Sequence, residues 1–375
     1  MKKLVSRASG FLALLAIASS CTTDDPEVSR DIEINNNEIE LSTRMMEKNE
    51  TITIVSSDAG KKVKDIKLTL KAELEPPTVN GDLLQATSIS RAGNRFVVSY
   101  NFAGETYYGG IDLIDDKVKL KSEIQFKDAD VNDIAILDND VFFVGGTSSL
   151  ERPAFVEKVS IKKGVFSLDG NTRVSVGSYT ANSITTSESE IYVTSGNDDA
   201  TGGGLYQFDG ELVQKNYQSI KDARWVIEAD GVIYCLGGNP SDVKTFDPNL
   251  SQQGNFKHKA FPHVESKMTM DVDAELIFIA GGEEGLLVYD LDGNLISQYT
   301  FEDNSITNAV TAEAGTIFIS NGEGGVYVAS YDDGEIVVIG KLALDSKESV
   351  NHILLKGNKL YVASGLGGVK MIEVK

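Results

Sequence analysis

The sequence predicts an all-β fold, a seven-bladed β-propeller whose last blade is closed by a strand from the N-terminal side. Three observations carry this. One short phrase recurs seven times at near-constant spacing, each copy alternates with period two between turn signals, and the last copy lacks a strand that an alternating segment ahead of the first copy can supply. Apolar residues make up 41% of the 375 positions and charged residues 24%, enough for a packed core. Asp and Glu number 56 against 35 Lys and Arg, a net charge of -21, which repels phosphate backbones and argues against a nucleic-acid partner.

The phrase is a strand with an aromatic near its start, followed by small residues and glycine. Its copies are RFVVSY (95–100), VFFVGG (141–146), IYVTSG (191–196), IYCLGG (233–238), IFIAGG (277–282), IFISNG (317–322) and LYVASG (360–365). Their aromatics, Phe96, Phe142, Tyr192, Tyr234, Phe278, Phe318 and Tyr361, lie 46, 50, 42, 44, 40 and 43 residues apart, the period of a propeller blade. Helical solenoids share that period, but here turn signals such as DND (138–140), DGE (209–211) and DGN (292–294) divide the units into strands. Each unit reads as an inner strand, the aromatic strand, a third strand such as 286–293 and an outer strand such as 295–301. The seventh unit stops at Lys375 after its third strand, 369–374. The run 65–74 sets Ile66, Leu68, Leu70 and Ala72 against Lys67, Thr69, Lys71 and Glu73. It is therefore the strand expected to complete that blade and cover its edge. Residues 65–375 form one domain at about 44 residues per blade.

Ahead of the domain lies an address. Lys2, Lys3 and Arg7 precede an apolar stretch at 11–18 that is too short to span a bilayer, so residues 1–20 read as a secretory signal peptide. Ala18, Ser19 and Ser20 followed by Cys21 resemble the lipobox of bacterial lipoproteins, with Ala18 where that box carries Leu. The resemblance implies lipidation at Cys21, with palmitate-type acyl chains anchoring the protein to the outer membrane. Asp24, Asp25 and Glu27 look like the acidic export tag of surface-exposed lipoproteins in some Gram-negative groups. The alternative is ordinary cleavage that leaves Cys21 a free thiol. Removal of the signal takes the charge from -21 to -24, since it carries three positive charges and no negative one. Residues 21–64 are polar and acidic and read as a tether, within which 51–55 is strand-like. The other cysteine, Cys235, is flanked by Tyr234 and Leu236 and reads as a small buried hydrophobe.

Three C-terminal segments, GGEEGLLVYDLDG (281–293), NGEGGVYVASYDDG (321–334) and SGLGGVKMIEV (364–374), resemble the LVIVD repeat of bacterial surface β-propellers. TGGGLYQFDG (201–210) matches loosely, and blades one, two and four depart from the pattern. The resemblance implies the propeller fold and brings no catalytic residue.

Ligands of propellers usually bind at the end of the central channel where the inner strands begin. Counting ten residues back from each aromatic gives Ala86, Asn132, Asn182, Arg224, Met268, Asn308 and Asn351; the next positions are Thr87, Asp133, Ser183, Trp225, Thr269, Ala309 and His352. The candidate binding set is Asn132, Asp133, Asn182, Arg224, Trp225, Asn308, Asn351 and His352. Asn side chains at such positions serve either as caps on neighbouring backbone or as a polar ring for a sugar, a peptide end or a small anion. Asp133 is the only carboxylate of the ring, too few for a hard cation, so no metal and no cofactor is assigned. His258 and His263 read as loop residues, DLDGN (290–294) as a hairpin turn, and the glycines 202–204 as backbone bends with no phosphate role.

Function is expected to be that of a lipid-anchored, surface-exposed binding module for a protein or glycan, acting through the channel-mouth face, with no catalytic residue. The alternative is a hydrolase or lactonase using Asp133, His352 and the Asn ring.

Overall fold

One hairpin sets the register of every blade. Between the inner and second strands lies a two-residue turn whose first residue, Gly93, Asp138, Glu188, Asp230, Ala274, Ala314 or Gly357, has φ between 49° and 61°. Turns of this hand match the right-handed twist of the strands they join. The structure, a computed structural model, describes residues 30–56, 66–196, 203–260, 267–302, 305–332, 334–344 and 349–375. The signal peptide, Cys21, Gly202 and His263 lie outside the described residues.

Seven antiparallel sheets follow one another in chain order. Blade 1 is Gln85–Ala92, Arg95–Asn101, Gly109–Asp115 and Leu120–Phe126; blade 2 is Ala129–Leu137, Asp140–Thr147, Ala154–Lys162 and Val165–Ser175. Blade 3 is Ala181–Ser187, Glu190–Ser195, Gly204–Asp209 and Gln214–Ser219; blade 4 is Ala223–Ala229, Val232–Gly237, Asp242–Phe246 and Gln252–Lys257. Blade 5 is Met270–Asp273, Leu276–Ala280, Leu286–Asp290 and Leu295–Tyr299; blade 6 is Ala309–Glu313, Thr316–Ser320, Val326–Asp332 and Glu335–Leu342. Blade 7 contributes His352–Lys356, Lys359–Ala363 and Val369–Val374 and takes Leu68–Leu74 as its fourth strand, with Leu74 opposite Val369 and Leu68 opposite Val374. Leu68, Leu70, Ala72 and Leu74 are buried, as the alternation of that segment requires. Lys67 and Lys375 exchange backbone hydrogen bonds of 2.8 and 2.9 Å, which seals the closure.

Residues 21–64, expected to be a tether, are folded over most of their described part. Ile32–Asn35 adds to the outer strand of blade 1, Met45–Ile52 to the closing strand of blade 7 and Ile54–Ser56 to the outer strand of blade 6. Between the first two, Asn37 caps the short helix Glu38–Ser42 by accepting the Ile39 N–H at 3.1 Å, and Leu41 of that helix is buried. The composition misleads because an outer blade strand offers unpaired backbone groups to any extended segment, so pairing there asks little of the side chains. Arg44 fastens this arm: its guanidinium donates to both carboxylate oxygens of Asp112 at 3.1 and 2.7 Å, to Glu123, and to the Glu75 carbonyl at 3.0 and 2.8 Å.

Among the described residues the buried apolar side chains fall into seven clusters, one at each junction between neighbouring blades. Phe142, Tyr192, Tyr234, Phe278, Phe318 and Tyr361 each face the blade that follows. Phe96 faces back toward blade 7 and meets Tyr361 at 4.8 Å between ring centres. The cause is register: Phe96 follows its hairpin one residue sooner than the other aromatics, and a one-residue offset turns a side chain to the opposite face. Val97 takes the place equivalent to the other aromatics and packs toward blade 2.

The last three blades share a tight turn between their second and third strands, closed by N–H to carbonyl bonds from Gly281 to Gly285 (2.7 Å), Asn321 to Gly325 (2.8 Å) and Ser364 to Gly368 (2.7 Å). Glycine ends this turn for cause: φ is +78° at Gly285 and +70° at Gly368, and a Cβ would stand 2.0 Å from the Tyr299 and Leu74 carbonyl oxygens respectively.

The closing strand makes a direct prediction. Leu74→Ala is expected to cost about 2–5 kcal/mol, read as a lower midpoint of urea unfolding. Ile39→Ala, at a side chain 81% exposed in the same N-terminal region, is expected to shift stability by no more than about 0.5 kcal/mol. Equal costs at the two positions would contradict this closure.

Candidate functional site

The site is built on strand edges that end at the central channel. Each inner strand pairs on one side only, so its outward-lying backbone groups need partners that no ladder provides. The preceding blade provides them. Asp133 Oδ2 accepts the N–H of Ile184 at 2.9 Å, Thr269 Oγ1 that of Val310 at 3.0 Å, Asp271 Oδ2 that of Ala312 at 2.8 Å and His352 Nδ1 that of Ile89 at 3.3 Å. Ser183 and Thr311 do the same for Val226 and Leu355.

At the mouth, where the inner strands begin, the direction reverses and side-chain donors cap the carbonyls of the next blade. Asn132 donates to Ala181 O (3.0 Å), Asn182 to Ala223 O (2.8 Å), Asn308 to Val350 O (3.3 Å) and Asn351 to Ala86 O (2.9 Å). The Thr87 hydroxyl completes the series by donating to Val131 O at 2.8 Å. The four asparagines predicted as a ring therefore lie at one end of the channel, and their amides turn into the neighbouring strands. The first ring member is Thr87, not Ala86, and its successor is Ser88, not Thr87, because counting from Phe96 carries the same offset that turned that ring around. Aligning on the hairpins instead of the aromatics would have found both.

Arg224 is held by Asp222, with Nε to Oδ1 at 2.8 Å and Nη2 to Oδ2 at 3.2 Å. Trp225 reaches across the axis from blade 4 to His352 of blade 7, with ring centres 5.5 Å apart. Lys267, which no motif singled out, starts at blade 5 and donates to the Asn132 carbonyl on blade 2. Burial lowers the Lys267 amine to about 8, with Asp133 opposing that shift. Burial and then the Lys267 charge lower the His352 imidazole to about 3, consistent with a neutral ring whose Nδ1 accepts a backbone N–H. Trp225, Lys267 and His352 together plug the mouth. Below them lies a cavity of ≈ 220 Å³ whose wall takes an apolar side chain from each blade, Ile89, Ile134, Ile184 and Met270 among them. Asp271 also lines it; burial raises its carboxyl to about 6, and both its oxygens accept backbone N–H groups.

The other sequence expectations fall as follows. Cys235 is buried and unpaired, its thiol pushed up to about 12 by burial. His258 is not a surface loop residue: it is buried, bonded through Nε2 to Gly237 O at 2.8 Å, and its Nδ1 accepts the Ala260 N–H at 3.2 Å. It directly follows the outer strand of blade 4 and turns onto the end of that blade's second strand, where an imidazole can serve one donor and one acceptor at once. Asp290 to Asn294 is a hairpin turn, with Asp290 Oδ1 accepting the Asn294 N–H at 2.7 Å. Among the described residues no three His, Cys, Asp or Glu side chains gather as a metal site. What the mouth can do chemically is limited by this use of its groups: Asp133 and His352 both spend acceptor atoms on backbone amides, so neither stands free as a general base.

No known protein family matches the chain, and no curated protein does. Solved structures match as folds. A virginiamycin B lyase from Staphylococcus aureus, a catalytically inactive variant with quinupristin, is similar at 12% identity over 82% of this chain and 99% of that one, with a TM-score of 0.60. The Pan2 WD40 domain of Neurospora crassa is similar at 13% identity over 77% and 89%, TM-score 0.55. BamB from Moraxella catarrhalis is similar at 11% identity over 91% and 95%, TM-score 0.50. These likenesses carry the β-propeller fold alone.

The neutral His352 has a consequence for stability. Its folded value lies below the ordinary 6.5, so between about pH 3 and 6.5 the unfolded chain binds a proton there that the folded chain refuses. Its contribution is complete above that window and is lost as pH falls through it, at about 1.4 kcal/mol per pH unit. His352→Gln removes this term. From pH 6 to pH 4.5 the native sequence is expected to lose about 2 kcal/mol more than the variant, measured by urea unfolding at both pH values; parallel losses would refute the assignment.

Proposed function

We propose that this chain is a lipid-anchored protein of the outer membrane, surface-exposed, whose propeller acts as a binding module for a protein partner through the mouth face. The observation that carries the reading is how the mouth polar groups are used: the asparagines, Asp133 and His352 bind the blades to one another, and Trp225 and Lys267 fill the axis. Such an end is a rigid platform, better suited to a partner's surface than to a small substrate. Trp225 lies against His352, which withdraws the aromatic face that a sugar ring would stack on, so a protein is favoured over a glycan. The same geometry counts against the hydrolase or lactonase alternative.

The shared turn of blades 5, 6 and 7 supports the resemblance to LVIVD-repeat surface propellers. Its exposed tips, Glu283 and Glu323 on blades 5 and 6, carry acidic charge on the mouth face. The anchor is Cys21, by the lipobox resemblance and the two-chain arithmetic of lipid attachment.

Two measurements test this. Cys21→Ser is expected to abolish incorporation of labelled palmitate and to release the chain from the membrane fraction. Unchanged labelling would remove the anchor. For the binding face, the full chain in detergent is used as bait in an envelope extract beside Glu283→Arg with Glu323→Arg, and beside Asp116→Arg on the opposite face. A protein retained by the native chain and by Asp116→Arg but lost from the double variant is expected; identical captures from all three would sink the mouth-face reading.

A further inference from the structure

A second cavity, larger than the one in the channel, lies away from the axis. It is a groove of ≈ 590 Å³ at the rim of the mouth face, between the N-terminal arm, the outer strand of blade 1 and the turn of blade 7. That volume falls within the usual range for ligand sites, roughly 300–1,000 Å³. Its two sides differ in chemistry.

The apolar side is formed by Leu83, Leu366 and Pro77. Leu83 is 43% exposed and Leu366 41%, although neither is required by the fold. For Leu366 the chain supplies its own comparison. The turns at 281–285, 321–325 and 364–368 close with the same backbone bonds, and the tip of the turn is Glu283 in blade 5, Glu323 in blade 6 and Leu366 in blade 7. Identical geometry accepts a charged tip twice, so the leucine answers to something other than the turn. At this tip position blade 7 departs from blades 5 and 6, and it is there that the groove opens.

The opposite side is acidic. Glu40, Glu75 and Glu123 line it, and Arg44 is its one lining cation among the described residues. Arg44 is fully engaged: it is bidentate on Asp112, bound to Glu123, and donates twice to the Glu75 carbonyl. Neither the Glu75 carboxylate nor that of Glu40 receives its charge, so the wall keeps a negative field beside exposed leucines. An aliphatic wall facing an acidic wall is complementary to an extended strand that places aliphatic side chains on one side and ammonium or guanidinium groups on the other, since successive side chains of a strand point in opposite directions.

We infer that this groove docks an extended polypeptide segment of a partner protein in which aliphatic residues alternate with Lys or Arg, the aliphatic side chains resting on Leu83 and Leu366 and the cations meeting Glu40 and Glu75. The inference rests on the binding-module reading and narrows it to one place on the mouth-face rim.

The test uses the full chain in detergent and a fluorescein-labelled pentapeptide, Lys-Leu-Lys-Leu-Lys, with Glu-Leu-Glu-Leu-Glu as its counterpart, followed by fluorescence anisotropy. The basic peptide is expected to bind and the acidic one not. Leu366→Glu gives blade 7 the tip that blades 5 and 6 already carry, so folding is retained, and it is expected to weaken binding at least tenfold even though it adds negative charge. Glu40→Gln with Glu75→Gln is expected to weaken binding at least fivefold, and Asp116→Asn with Asp115→Asn, which likewise removes two negative charges but on the opposite face, to leave it within twofold. Tighter or unchanged binding by Leu366→Glu would overturn the inference, because it would show attraction to acidity alone; so would loss of binding in Asp116→Asn with Asp115→Asn equal to that in the groove variants. If the peptide fails while Glu283→Arg with Glu323→Arg still loses a captured protein, the groove falls and the mouth-face reading stands.

Discussion

Everything in this propeller depends on the unpaired edge of the inner strand. A blade satisfies its own second and third strands, and its outer strand can turn its free edge to water or to the N-terminal arm, but the free side of the inner strand is buried with no ladder, and a buried amide without a partner costs about 1–3 kcal/mol. The chain meets that cost with side chains of the preceding blade: Asp133 on Ile184, Thr269 on Val310, Asp271 on Ala312, His352 on Ile89. The bond that satisfies an edge also ties one blade to the next. Stability and ring geometry are therefore the same interaction, and polar residues that look like a binding constellation in the sequence are structural members in the fold.

The junction between blades 7 and 1 carries more than the other six. It has the non-covalent closure by Leu68–Leu74, the paired rings of Phe96 and Tyr361, and the arm that crosses from blade 1 to blade 7 and on to blade 6. Arg44 sits where that arm turns, and its buried contacts with Asp112 and Glu123 are of the kind whose removal leaves uncompensated charge. A closure lacking covalent continuity is reinforced at the place where continuity is missing. That reinforcement also creates the groove, since the arm supplies one of its walls.

The seven blades and the closing strand were legible because backbone period and apolar alternation are local properties: Leu68, Leu70 and Ala72 announce a strand before any partner is known. Of the arm only 51–55 was legible, and strands cover most of it; the rest was not, because residues such as Glu33, Glu47 and Glu50 pair through the backbone and leave little trace in side-chain pattern. The mouth was legible as a place but not in its use. Asn at the start of an inner strand serves a cap or a ligand equally well, and only the direction of its amide separates the two. Lys267 and Asp271 belong to no motif, and the ring begins at Thr87 and not Ala86 because in blade 1 the hairpin turn keeps the register that the aromatic does not.

The closing strand also sets a timetable. Leu68–Leu74 alternates buried and half-buried residues, and its ladder partner Val369–Val374 is made roughly 300 residues later. At synthesis rates of about 5–20 residues per second, the strand waits roughly 15–60 seconds for its neighbour. Over that interval the strand can pair with Met45–Ile52 on one side, but the edge that Val369–Val374 will cover stays open while six blades can form behind it. A stalled or truncated chain that lacks Val369–Val374 would contain most of the propeller and still present this edge to other chains, so a strand made late governs whether one made early is safe.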